Sequence, residues 1–149
     1  MKAADLMIGD WVIRRGVPEE PMRLYGMNAS MGIAYLDQDG RGVSEKFENI
    51  EPIPLTLWIL EKNGFHGQDN YYAIADLSKA DSFWSIKIIF ATEHPTYITQ
   101  IEIENVDGND VINVGMSAIG GKIYYVHELQ HSLKQCKIKK EVVVWDHLI

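Results

Sequence analysis

His127-Glu128-Leu129-Gln130-His131 has the spacing of a zinc hydrolase signature. Residues four apart share a helix face, so two imidazoles could grip one ion while the intervening glutamate acts as base on a bound water. Such a centre also needs a third protein ligand and an open cleft. Lys137 stands where an elaborated form of the motif has its third histidine, and no glycine occupies the preceding turn. Downstream, only Glu141, Asp146 and His147 could complete the set, with His66 and His94 upstream. The same residues have a packing explanation. Val126, Leu129, Leu133 and Cys136 recur at three- and four-residue steps, which makes an apolar stripe for a sheet to receive. His127 and His131 then lie beside the stripe, with Gln130 and Lys134 facing water. The amphipathic helix is the preferred reading. The rival keeps His127 and His131 as zinc ligands and Glu128 as base.

Other local patterns resolve in the same way. The window Asp37 to Glu48 has acidic residues at places 1, 3, 9 and 12 and glycine at place 6, as a calcium-binding loop does. Arg41, however, occupies place 5, where a ligand oxygen is needed, and strand-like sequence flanks the window, so a Gly-rich hairpin turn is expected. Gly120-Gly121-Lys122 lacks the spacing and hydroxyl residue of a phosphate-binding loop. Cys136, on the stripe, reads as a small buried hydrophobe. Lys134, Lys137, Lys139 and Lys140 complement the negative end of a helix. As a nucleic-acid site, joined by Arg14 and Arg15, they lack interleaved aromatics and work against a formal charge of −7. Trp58, Trp84, Tyr71, Tyr72, Tyr124 and Tyr125 are numerous enough to supply a partner-binding patch.

The elements that would position these residues fall into two parts. Up to about residue 54, short apolar runs (Trp11 to Ile13, Met22 to Tyr25, Ile33 to Leu36) alternate with turns at Gly9-Asp10, Pro18 to Pro21, Asn28 to Gly32 and Asp37 to Gly42. So many strands in so short a stretch are expected to curl into a small barrel that hides its edges. Leu6-Met7-Ile8-Gly9-Asp10-Trp11-Val12 resembles the opening of SH3-like barrels. At the junction, Thr56 is a natural N-cap, Leu57 to Asn63 make a short helix, Gly64 can take the left-handed C′ place, and Phe65 packs back. Leu57, Leu60 and Phe65 are expected to face the core and Trp58 to be partly exposed. Beyond Tyr71 the period becomes that of strands: Trp84 to Phe90, the alternating Tyr97 to Glu104, and Val111 to Val114 make three or four antiparallel strands. A helix over 123–136 and a last strand over 141–145 follow.

Glu51 to Thr56 with Ile59 to Phe65, and Tyr125 to His131, together with the opening Met1-Lys2-Ala3 and Leu6 to Val12, resemble an uncharacterised family of small proteins from gut-dwelling bacteria, their prophages and mobile elements. The resemblance implies that context and carries no established activity. Relatives often have Pro-Glu where this chain has Leu57-Trp58, and some have glutamine in place of Glu128, which would remove the base.

With 149 residues, 46% hydrophobic and 23% charged, the chain is long enough for one good core or two small ones and is of ordinary globular composition. No apolar run reaches signal-peptide or membrane-spanning length, and the lone cysteine allows no intrachain disulfide, so a reducing cytoplasm is expected. The reading is an α+β protein: an SH3-like barrel over 1–54, then an α+β domain over 55–149 whose antiparallel sheet is packed by the 123–136 helix. It is expected to be a non-enzymatic binding or adaptor protein of a bacterial or phage cytoplasm, with a protein partner and without a cofactor.

Overall fold

A computed structural model of the chain describes residues 1–68, 71–75, 82–90, 98–107, 110–113, 124–135 and 140–144. Side chains are described for 1–66 apart from 18 and 19, for 124–134 and for 140–144. The fold is α+β, with two five-stranded antiparallel sheets and, among the described residues, two α-helices. By contacts the chain divides into two units, one of Met1–Pro54, Tyr125–His131 and Val142–Ile149, the other of Leu55–Tyr124 and Ser132–Glu141.

In the first unit the apolar runs become β1 (Trp11–Arg14), β2 (Val17–Asn28), β3 (Ile33–Gln38) and β4 (Arg41–Lys46), and a short β5 (Ile50–Pro52) follows the 3₁₀ turn Phe47–Asn49. The order is β4-β3-β2-β1-β5, so the meander ends by bringing its last strand back to the free side of the first. No ladder joins β4 to β5 among the described residues. Leu6, Val12, Met22, Leu24, Ala34, Leu36 and Ile50 form the core on one face of this sheet. Asp39 (φ 49°) and Gly40 (φ 85°) close the β3–β4 hairpin in the left-handed region, as a two-residue turn between right-twisted strands requires. The calcium-loop window is therefore a hairpin.

Pro18 to Pro21 do not make the expected turn. They lie within β2, where Val17 pairs with Arg14 and Met22 with Val12, so residues 18–21 form a bulge opposite Ile13. Prolines without an N–H are tolerated there because a bulge withdraws them from the ladder. The turn itself is Arg15-Gly16.

The second unit opens with α1 (Leu57–Lys62), capped as its residues foretell. Thr56 Oγ1 accepts from Ile59 N at 3.3 Å. At the other end Phe65 N donates to Leu60 O (3.1 Å) and Gly64 N to Glu61 O (3.0 Å) around a Gly64 of φ 85°, the two bonds of a Schellman motif. Phe65 and Leu60 are buried, as expected, but the third buried apolar residue is Ile59; Leu57 is half-buried. Trp58 is half-buried under the Lys62 ammonium, 5.3 Å from its ring centre. The sheet is β10-β9-β8-β7-β6, built from β6 (His66–Gln68), β7 (Tyr71–Ala75), β8 (Ser82–Phe90), β9 (Ile98–Asp107) and β10 (Asp110–Asn113). Five strands thus replace the three or four expected.

Helix α2 (Val126–Gln135) begins later than the expected residue 123. Tyr125 is still extended, bridging Pro54, and Val126 N donates to Ile53 O at 2.9 Å. Tyr125 and the first half of the helix, to His131, group with the N-terminal unit rather than with the 55–149 stretch. Residues 141–144 are in no strand, although Val142 and Val144 are buried and Val143 is exposed; Trp145 lies outside the described residues. No helix among the described residues is long and apolar enough to cross a membrane.

Candidate functional site

The stripe itself is as expected: Val126, Leu129 and Leu133 are buried, Lys134 is exposed, and Cys136 lies outside the described residues. What the flanking polar residues do is different. Glu128 Oε1 accepts from Tyr125 N at 3.1 Å. Tyr125 is the N-cap position and Glu128 is N3, so this is the carboxylate half of a capping box, satisfying a helix-start N–H that has no intrahelical partner. Glu128→Ala is expected to cost about 0.5–1 kcal/mol in urea unfolding, as loss of a cap does, and Glu128→Gln, which can still accept the bond, a few tenths. Equal and larger losses in both variants would show that Glu128 does something else.

His131 Nε2 lies 2.8 Å and 2.9 Å from the two oxygens of Asp10, whose side chain is 3% exposed. The same carboxylate accepts from Met7 N at 2.8 Å, which folds the loop before β1. Gln130 was expected to face water, yet it clamps that loop to the helix: Oε1 accepts from Trp11 N (3.0 Å) and Nε2 donates to Gly9 O (2.9 Å). Trp11 Nε1 in turn donates to Val142 O at 2.7 Å, and the Arg23 guanidinium sits 5.5 Å from the Trp11 ring centre. Asp10, Gln130 and Trp11 are thus central to the cluster, although only the Gly-Asp turn signal pointed toward any of them.

His127 is 6% exposed, stacked on Tyr125 (centroids 5.9 Å) and edge-on to His131 (5.5 Å). Its Nδ1 is buried without a hydrogen-bond partner among the described residues. Burial holds its proton affinity below the ordinary 6.5, and the nearby His131 adds to that; Asp10 and Asp5 oppose it. Among the described residues no group of three His, Cys, Asp or Glu is placed to hold a metal ion. His66 and Glu141 are exposed on the surface, while His94, Asp146 and His147 lie outside the described residues.

Comparison with protein-family models, curated proteins and solved structures found no match.

The basic residues do not gather into one described patch. Arg14 pairs with Glu20 (3.3 Å) and Arg15 with Glu51 (3.1 Å). Lys140 is half-buried, and Lys137 and Lys139 lie outside the described residues. Large apolar side chains are more prominent on the surface of the first unit: Ile8, Tyr25 (55% exposed) and Met31 (68%). Tyr25 is 6.2 Å from Tyr35, and its hydroxyl lies over Gly42, where a Cβ would come within 3.1 Å. Met31 lines an open groove of about 520 Å³ with Met1, Ala3, Phe47 and the cations Lys2 and Lys46.

Proposed function

We propose that this is a non-enzymatic binding or adaptor protein of a bacterial or phage cytoplasm, engaging a protein partner through the N-terminal unit. One observation carries the reading. Within the motif that could have been a hydrolase centre, Glu128 caps its helix and His131 is held by Asp10, while Ile8, Tyr25 and Met31 are left open to solvent. Exposed aromatics and methionine of this kind are the usual anchors of protein interfaces. The unit is read as a small SH3-like barrel, supported by the return of β5 to β1 and by irregularities in β2 at both of its ladders, which bend a sheet toward closure. A cytoplasmic location and an origin in bacteria or their mobile elements belong to the same proposal, resting on the lone cysteine and the motif resemblance.

The test pairs a surface variant with a metal measurement. Full-length protein carrying Tyr25→Asp and Met31→Asp is expected to fold as the wild type does and to lose a partner that the wild type captures from its host. Protein purified without chelator is expected to hold no stoichiometric zinc. One tightly bound ion, lost in His131→Ala, would overturn the reading in favour of the hydrolase.

A further inference from the structure

We propose that Asp10, His131 and His127 form an acid-sensitive latch, which fastens Tyr125–His131 to the N-terminal unit at neutral pH and opens when His127 takes up a proton. The inference is independent of the partner reading.

Beside the buried Val126 and Leu129, the segment's polar ties among the described residues include Val126 N to Ile53 O, the Gln130 amide on Gly9 O and Trp11 N, and His131 on Asp10. All but the first converge on the three residues Gly9, Asp10 and Trp11, so helix and loop must part together. His127 lies one helical turn before His131 and is enclosed on the same side, where its ring faces Tyr125 and His131 on its own segment, Asp10 from the loop before β1 and Asp5 from the Ala3–Asp5 turn. A neutral imidazole tolerates this enclosure, because the partnerless Nδ1 can be its bare acceptor nitrogen. An imidazolium carries a donor on both nitrogens, so protonation would place a charged, unsolvated N–H there.

The two carboxylates favour that proton, but burial, the larger influence, and His131 act against it. Above the ordinary value of 6.5 the fastened and released states are both neutral at His127 and the latch is indifferent to pH. As pH falls through 6.5 the released segment binds a proton that the fastened one refuses, so the equilibrium moves toward release. The step that opens the latch is therefore the one at His127.

Amide hydrogen exchange of the full chain, with chelator present and rates corrected for intrinsic pH dependence, tests this at about pH 7.5 and about pH 5.5. Protection at Val126 and Leu129 is expected to fall severalfold more than protection in the β3–β4 ladder, up to the roughly tenfold ceiling for one proton bound only in the released state over this pH interval. His127→Phe, which keeps an aromatic ring but takes no proton, is expected to hold its protection at both values. Undiminished protection in the wild type, or the same loss in His127→Phe, would overturn the proposal. Should that variant fail to fold, the NMR titration of His127 in the wild type decides. Proton uptake below 6.5 that tracks the loss of protection supports the latch, and uptake with protection intact overturns it.

Discussion

Asp10→Ala will destabilise the N-terminal unit by about 3 kcal/mol, the lower part of what two donors cost when each loses a buried acceptor at roughly 1–3 kcal/mol apiece. The carboxylate is 3% exposed and serves two donors, Met7 N at 2.8 Å and His131 Nε2 at 2.8 Å. Deleting it strands both. His131 is 19% exposed, so water rescues part of that loss, which is why the lower figure applies. Asp10→Asn keeps an acceptor oxygen and should cost about half as much. His131→Ala leaves a buried carboxylate to which Met7 N still donates, and a double-mutant cycle between the two positions should return a coupling of about 1–3 kcal/mol. Urea unfolding supplies the totals, and amide exchange in the β1–β2 ladder shows which unit opens. A coupling near zero would mean that the contact is incidental to the docking of α2.

That pair also marks the boundary of what the sequence discloses. The caps of α1 were legible because each depends on a single local residue: a hydroxyl at Thr56, and a glycine at 64 free to take φ 85°. The β3–β4 turn was legible for the same reason, since Asp39-Gly40 is a backbone signal carried by two adjacent residues. Asp10 and His131 are 121 residues apart, and nothing in the periodicity around either names the other. Gln130 was misjudged because a helical pattern sorts residues by polarity alone. A polar side chain can turn inward when backbone groups, here Gly9 O and Trp11 N, wait there for a partner. Glu128 shows the converse. Its type fits a catalytic base or an N3 cap equally well, and only the helix start at Val126, which the tyrosines before it had concealed, selects the cap. The prolines of β2 failed as turn markers because a bulge accommodates them as readily as a turn does.

Leu36→Ala will cost about 3–4 kcal/mol, whereas Met31→Ala, a few residues earlier on the same hairpin, will change stability by less than about 0.5 kcal/mol. Leu36 is fully buried in the cluster with Val12, Leu24, Ala34 and Ile50, so its removal forfeits both transfer energy and the contacts of its neighbours. Collapse into the gap is limited. Leu24 and Val43 face it across two ladders that fix their Cα positions, and Ala34 is too short to reach in. Met31 is 68% exposed in the turn between β2 and β3, where the chain is already held by Asn28 Oδ1 accepting from Met31 N at 3.2 Å, a bond that alanine retains. If urea unfolding finds the two costs comparable, Met31 belongs to the core and cannot serve the partner surface. If they differ as stated, a large apolar side chain is kept in water without contributing to the fold, which leaves it available to the partner surface proposed above.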